Sequence, residues 1–274
     1  MAKKVAPIAN ELAATIMQVL SIAIEKHKDQ IEKFFEILPS LQMSVSPISS
    51  PLLRSYEKLP LQIQGSILAL AEQGWFWDID MPLGITLKFQ EIISEHRFGE
   101  NECHFEEIEP FLERHFDERL DIIQNAIISK YPHRERFIRL AFNAYERKEY
   151  ELTILMLFAQ ADGICEEETD CNFFRNRNDG KPRTANYVEG LASDKFAFAL
   201  SQVLANKLPI SVSQKERQLK SYKGLNRHAV LHGESLDYGT KNNSLKTISL
   251  INYVVQVFAY VKAMSDIKNG EIKA

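Results

Sequence analysis

Apolar residues recur at helical spacing along most of this chain, and this periodicity restricts its fold more than any other feature. Repeats at three and four residues place apolar side chains on one face of each helix. Gly and Pro number only 11 and 10 among 274 residues, which disfavours an architecture rich in turns. We therefore predict an all-α protein with helices at Ile8–Ile37, Leu61–Gln73, Glu102–Lys130, His133–Arg147, Glu149–Glu166, Ala185–Leu204, Leu225–His232 and Ser244–Met264.

Local signals refine the ends of these helices. Pro110 predicts a break within Glu102–Lys130, because proline lacks the N–H that a helix interior needs. Gly233 predicts the end of Leu225–His232, since glycine readily adopts the left-handed conformation that closes a helix. Asn243 or Ser244 is suited to cap the N-terminus of the last helix.

The helical pattern is interrupted at Tyr131 and Pro132, and we place a domain boundary there. Residues 1–130 form a helical region of unknown role, which includes a Ser/Pro-rich connector at 39–51. Residues 131–274 form a helical bundle. The segment 74–82 holds both tryptophans and has two interpretations: a packed loop that anchors the N-terminal half, or a platform on which bases or a partner stack.

Composition favours a soluble cytoplasmic protein. The three cysteines form no CxxC pair, and such a low, odd count fits a reducing compartment. The N-terminal residues lack the pattern of a signal peptide, and no uncharged apolar stretch is long enough to cross a bilayer. The net charge of −4 means that RNA would bind only through a local basic patch.

The segment Gly224–Glu234 carries the residues most suited to chemistry: Arg227, His228, His232 and Asn226. Histidine transfers protons near neutral pH, and arginine binds a phosphate with two parallel hydrogen bonds. RNA cleavage without a metal needs both functions. On a regular helix, however, Arg227 and His232 point roughly 140° apart, a problem that two motif copies in a two-fold dimer would solve.

Two other interpretations of the same segment remain open. His228 and His232 lie four residues apart, which is the spacing of zinc-binding helices, and Asp162, Glu166 or Glu234 could add a third ligand. The glutamate that should directly follow the first histidine of the zinc motif is absent. Alternatively the segment is structural, with one histidine buried, the other exposed and the arginine paired with an acid.

The pattern Arg227-His228-Ala-Val-Leu-His232 and the helices around it resemble the HEPN superfamily of helical domains in toxin, phage-defence and RNA-processing proteins. The superfamily motif is an arginine, four to six residues and a histidine, often with a polar residue after the arginine. The resemblance covers roughly His133 to Met264. It implies an antiparallel helical bundle that forms a homodimer, with both motif copies in one cleft.

The resemblance also implies a metal-independent endoribonuclease that leaves a 2′,3′-cyclic phosphate and needs no cofactor. Arg227 would hold the phosphate, His232 would be the acid and base, His228 would assist, and Asp162 would be an acidic helper. A role in phage defence or as a toxin would follow, with an antitoxin or regulatory protein as a further partner. The alternative is a non-catalytic HEPN module that dimerises and binds RNA, a nucleotide or a protein.

The best local basic patch is a polar loop within 171–184. It carries four cations that could guide the RNA backbone: Arg175, Arg177, Lys181 and Arg183. Asn226 could add a polar contact to the RNA. Its other interpretation is a solvated loop without a partner. Lys241, Lys246 and Lys262 near the last helix could also contribute.

Overall fold

A computed structural model describes residues 64–81, 105–220 and 224–268 of the chain. These residues are mainly helical and contain no β-strand, which confirms the all-α prediction. Residues 64–72 are helical, and nine α-helices follow: α1 Phe105–Asp117, α2 Leu120–Lys130, α3 Glu135–Glu146, α4 Tyr150–Thr169, α5 Ala185–Gly190, α6 Lys195–Leu200, α7 Gln214–Lys220, α8 Arg227–Leu231 and α9 Lys241–Lys268. The predicted Ile8–Ile37 helix and the 39–51 connector lie outside the described residues.

The last helix, α9, is the centre of the fold. It packs along α4, and α1, α2 and α6 also contact it. Its side chains are buried on all sides, as expected of a core helix that is apolar all round: Leu245, Ile248, Ile251, Tyr253, Val254, Val257 and Phe258. Lys241–Asp266 is long and apolar enough to cross a membrane, although the sequence predicted no such stretch. In this structure, however, 67% of its apolar 18-residue stretch is buried inside the protein.

The last helix also begins earlier than predicted. It starts at Lys241, and the hydroxyl of Thr240 accepts a hydrogen bond from the backbone N–H of Asn243 at 3.1 Å. Thr240 is therefore the capping residue, and the prediction that Asn243 or Ser244 caps this helix is wrong. Ser244 is buried instead, and its hydroxyl lies 3.4 Å from the carbonyl oxygen of Tyr150.

Two helix boundaries differ because tertiary packing outweighs local preference. Pro110 lies inside α1, which continues to Asp117, so the predicted break there is wrong. Ile108 and Phe116 on either side of it are buried in one core, and a continuous helix is needed to bury both. The chain turns instead at Glu118 and Arg119, between α1 and α2.

The single helix predicted at Ala185–Leu204 is two short helices followed by a 3-10 turn, Ser201–Ala205. The carboxylate of Asp194 accepts a hydrogen bond from the N–H of Ala197 at 3.0 Å and so starts α6 as a new helix. The buried hydroxyl of Thr184 donates to the carbonyl of Leu204 at 2.5 Å, which ties the two ends of this segment together.

The aromatic segment at 74–81 is packed and structural. Trp75 and Phe76 are fully buried, and Trp75 stacks on Phe116 of α1 with ring centroids 5.8 Å apart. No aromatic face of this segment is open to a base, so the stacking interpretation is wrong. Residues on both sides of position 131 share one hydrophobic core, and the division of the chain at that position stays a prediction.

A paired polar cluster fastens the same segment to the bundle. We call it the Asp78 cluster; its members are Asp78, Asp80, His115, Arg119 and Gln256. The fully buried Asp78 carboxylate lies 2.7 Å from Nε2 of His115 and accepts a hydrogen bond from Gln256 at 2.7 Å. Nε of Arg119 lies 3.3 Å from the same carboxylate, and its terminal nitrogen donates to Asp80 at 2.8 Å.

Candidate functional site

The motif helix α8 has only five residues, so its ends decide its position. Asn226 caps the N-terminus: its side-chain oxygen accepts a hydrogen bond from the N–H of Ala229 at 3.0 Å. At the other end, Gly233 has a φ of 69°, which confirms the predicted glycine stop. The N–H groups of Gly233 and Glu234 bond back to the carbonyls of Val230 and Ala229, a Schellman motif.

Arg227 is the first residue of α8, and its guanidinium lies over the face of an aromatic ring. The guanidinium carbon lies 5.3 Å from the centroid of Phe174, which belongs to the loop after α4. A cation over an aromatic face is a favourable contact that leaves the N–H donors available. Arg227 makes no hydrogen bond or ion pair with the described residues. It therefore presents a charged, oriented fork whose donors are unused.

The two histidines of the motif lie in parallel. The rings of His228 and His232 are stacked with centroids 5.9 Å apart and an interplanar angle of 1°. His228 is half-buried, whereas His232 is exposed. Burial lowers the pKa of His228, and the positive charges of Arg227, His232 and Arg217 lower it further, against an opposing effect of Glu234. His228 is thus biased towards the neutral imidazole, which is the form that accepts a proton.

Asp162 is connected to Arg227 through Phe174. Its carboxylate accepts a hydrogen bond from the backbone N–H of Phe174 at 3.1 Å, while the ring of Phe174 faces Arg227. The helix that carries Asp162, α4, also contacts α8. The structure thus brings Asp162 to the same side of the bundle as Arg227, and the contact it shows for the carboxylate is one that holds the loop.

The structure bears on the two other interpretations of the motif, a zinc site and a purely structural segment. The described residues contain no group of three His, Cys, Asp or Glu side chains able to hold a metal, so His228 and His232 lack a third ligand among them. The structural interpretation requires a buried histidine and an arginine paired with an acid. An exposed His232 agrees with that interpretation, but His228 is only half-buried, and Arg227 has no acidic partner in the described part of the chain.

The polar loop after α4 folds back as a short hairpin. The N–H of Arg183 donates to the carbonyl of Arg175 at 2.8 Å, and the N–H of Arg177 donates to that of Lys181 at 2.7 Å. Because these four residues are opposite one another in two pairs, and alternate residues share a face, all four cations belong to one face. Asn176 and Pro182 form the bridge between the pairs.

The four cations of this hairpin are not equivalent. Arg175, Lys181 and Arg183 are exposed, and their side chains make no hydrogen bond or ion pair with the described residues. Arg177 is paired with Asp179 at 2.5 Å and with Glu189 at 3.0 Å. The carboxylates of Asp179 and Glu189 offset its charge, so Arg177 helps to hold the hairpin in place, and its role as an RNA contact stays a prediction.

Asn226 also proves to be structural rather than an RNA contact. It is buried, and its two amide hydrogens are donated to the carbonyls of Pro209 at 2.7 Å and Val212 at 3.1 Å. Its side-chain oxygen accepts from Ala229 and from Arg217. Every hydrogen-bonding position of the amide is therefore used, and none remains for a ligand.

Arg217, on α7, is the site residue that the sequence did not reveal. It bonds to Asn226 and Glu234, nine and seventeen residues further along the chain. The helical spacing of three or four residues connects neither pair, and the sequence between them has no hairpin pattern. A local signal did exist for α7: the spacing of Ser213 and Glu216 is that of a capping box, and the carboxylate of Glu216 accepts hydrogen bonds from the N–H of Ser213 at 3.1 Å and from its hydroxyl at 2.9 Å.

Comparison of the chain with protein-family models, with curated protein sequences and with solved structures gives no match. The geometry of this chain and the residues of the 227–232 motif are therefore what indicates its function.

Proposed function

We propose that this chain is a metal-independent endoribonuclease of HEPN type, with Arg227 and His232 as its principal catalytic residues. One observation carries the proposal: an arginine with unused donors begins a helix that also presents two stacked histidines. These three side chains supply the two functions that phosphodiester cleavage needs, a cation for the phosphate and groups that transfer protons.

The chemistry assigns each side chain a step. A neutral imidazole removes the proton of the ribose 2′-hydroxyl, and the oxygen attacks phosphorus while the bond to the 5′ oxygen breaks. A protonated imidazole gives a proton to the leaving 5′ oxygen, and a 2′,3′-cyclic phosphate remains. The lowered pKa of His228 suits it to accept the proton, and the exposed His232 is placed to donate one. Arg227 stabilises the charge that develops on the phosphate.

A homodimer is part of the proposal, because apolar side chains flank the motif. Leu231 is 43% exposed and Leu236 is 91% exposed, on either side of His232 in the sequence. Burying such residues against a second copy removes apolar surface from water and would bring two motifs together. The three unpaired cations of the hairpin would then hold the RNA backbone near the motif, since Arg175 directly follows Phe174.

The decisive experiment compares the wild type with Arg227→Ala and His232→Ala on cellular RNA in the presence of EDTA. We expect each substitution to reduce cleavage by at least about a hundredfold, which is the usual contribution of a general acid or base. Melting temperatures should remain within about 2 °C, since surface substitutions change stability little. The wild-type product should end in a cyclic phosphate.

Matched controls are available on the same bundle. His133 is exposed beside Glu167, and Arg139 is exposed beside Glu135, so His133→Ala and Arg139→Ala remove the same side-chain types outside the motif. Both controls should cut like the wild type. If Arg227→Ala and His232→Ala cut equally well, the assigned site is wrong. If the wild type leaves RNA intact but binds it, the chain is the non-catalytic module that the resemblance also allows.

A role as a toxin or phage-defence protein in the cytoplasm follows from the resemblance and belongs to the same proposal. Induced expression in bacterial cells should arrest growth, and Arg227→Ala and His232→Ala should each abolish the arrest. Arrest that persists in both variants would separate toxicity from the motif.

A further inference from the structure

The side chain of Arg217 bridges the two ends of the motif helix. One terminal nitrogen donates to the side-chain oxygen of Asn226 at 2.6 Å and to the carbonyl of Val212 at 3.2 Å. The other donates to the carboxylate of Glu234 at 2.5 Å. Asn226 directly precedes α8, and Glu234 directly follows the glycine that ends it. A single guanidinium thus contacts the residues at both ends of the helix.

This bridge matters because α8 is too short to hold its own position. A helix of five residues gains little from its own hydrogen bonds, and isolated helices below about 12 residues are marginal in water. The apolar anchors Leu225 and Val230 are buried, but they do not set the direction in which the exposed side chains point. The polar bridge fixes the ends between which Arg227, His228 and His232 are presented.

Arginine suits this position better than any other side chain. The acceptors belong to a backbone carbonyl, an amide and a carboxylate, and only the planar fork of a guanidinium reaches several acceptors in fixed directions. Its side chain is only 11% exposed, so it is screened from solvent and does not face a ligand. These features mark a residue that acts through its neighbours.

We propose that Arg217 is the positioning residue of the 227–232 motif, which it holds through Asn226 and Glu234. The inference rests on the proposed function only for what the motif does; the positioning itself is a property of the fold. Arg217 touches neither the phosphate nor the reacting atoms, and it is not a catalytic residue.

The electrostatic surroundings of His228 supply a readout that does not depend on cleavage. Arg227, His232 and Arg217 lower the pKa of His228, whereas Glu234 raises it. Arg217→Gln removes a positive charge and releases the Glu234 carboxylate, so the pKa of His228 should rise. Glu234→Gln removes the negative charge and should lower it. Both changes report whether the charges of Arg217 and Glu234 lie beside His228 as the bridge requires.

The experiment follows the ring signals of the histidines by NMR during a pH titration of the full chain. His228→Gln identifies the signal of His228, and the wild type is compared with Arg217→Gln, Arg217→Lys and Glu234→Gln. We expect a raised pKa of His228 in Arg217→Gln, a lowered one in Glu234→Gln and a value near that of the wild type in Arg217→Lys. If Arg217→Gln does not fold, Glu234→Gln and Arg217→Lys still test the inference.

Cleavage kinetics complete the test. Arg217→Gln should lower kcat about a hundredfold with little change in KM, because misplacing catalytic groups by about 1 Å has effects of that size. Arg217→Lys should recover part of the loss. Titration of His228 like that of the wild type in all three variants would overturn the inference. If the wild type cuts no RNA while the titrations shift as expected, the proposed function fails and the positioning role stands.

Discussion

The Asp78 cluster and the 227–232 motif use the same residue types for opposite purposes. Each combines histidine and arginine with a nearby acid. In the Asp78 cluster, both His115 and Arg119 lie against carboxylates, and Asp78 is fully buried. In the motif, Arg227 has no acidic partner among the described residues, and His232 is exposed. Residue type alone therefore does not distinguish a structural cluster from a candidate site, whereas pairing and exposure do.

The physical reason lies in what a buried charge requires. A carboxylate removed from water is tolerated only where hydrogen bonds and opposite charges replace its hydration. The Asp78 carboxylate receives hydrogen bonds from Gln256 and from the N–H of Asp80 at 3.0 Å. Such a group has no capacity left for a ligand. A catalytic arginine must keep its donors unused until the substrate arrives, and a position that is at least partly open to solvent allows that without a large penalty.

The largest expected difference between the two regions is in stability. Asp78→Ala leaves His115 and Arg119 without their buried partner, and it should lower the free energy of unfolding by about 3 kcal/mol. Arg227→Ala removes a half-buried side chain without a hydrogen bond and should change it by less than about 1 kcal/mol. Urea denaturation of both variants measures the difference. Equal losses would mean that the motif is as structural as the Asp78 cluster.

A smaller effect should separate the regions by pH. Burial raises the pKa of Asp78, but the hydrogen bonds from His115 and Gln256 and the charge of Arg119 outweigh it, and the net pKa is below 3.8. A carboxyl whose pKa is lowered on folding stabilises the folded state above its unfolded pKa and loses that contribution as pH falls through the folded value. Each pKa unit corresponds to about 1.4 kcal/mol.

The comparison of wild type with Asp78→Asn isolates this contribution. The difference in free energy of unfolding should be constant above about pH 5 and shrink below about pH 4, in urea denaturation measured from pH 3 to pH 6. Arg227→Gln serves as the control from the motif, because arginine does not titrate in this range. A difference that stays constant down to pH 3 would contradict the assigned pairing of Asp78.

The sequence predicted the features that depend on neighbouring residues. The helical periods placed most of the helices in the described part of the chain, and Gly233 marked the end of α8 correctly. The sequence failed where distant contacts decide. Pro110 stays helical because both of its sides are buried together, and the Ala185–Leu204 segment breaks where Asp194 starts a second helix.

The candidate site shows the same limit. Arg227 and His232 stood out because their residue types suit phosphate binding and proton transfer. Whether an arginine is free or already paired depends on residues far along the chain. Nothing local indicates that Arg177 contacts Glu189, that Arg217 contacts Glu234, or that Asp78 contacts Gln256 178 residues away. Asn226 was predicted to contact RNA but caps a helix, because the residues that use its amide group are also distant in the sequence.

The smallest expected effect tests the same contrast within the hairpin, where Arg177 is paired and Arg183 is not. If RNA binds there, each unpaired cation that contacts a phosphate should add about 0.7 to the slope of log affinity against log salt concentration for single-stranded RNA. Arg175, Lys181 and Arg183 together should then give a slope of about 2 in magnitude. Arg183→Gln should reduce that slope by about 0.7 and weaken binding several-fold at low salt.

The matched control removes the pair without changing net charge. In the double variant Arg177→Gln with Glu189→Gln, one positive and one negative side chain are lost from the same ion pair. Because Arg177 already has carboxylate partners, this variant should keep the slope of the wild type when binding is measured by fluorescence anisotropy at several salt concentrations. A slope that falls as far as in Arg183→Gln would show that Arg177 exchanges its carboxylates for phosphates. Pairing in the free protein would then not predict which cations bind RNA. The absence of an acidic partner would no longer distinguish Arg227 from the arginine of the Asp78 cluster.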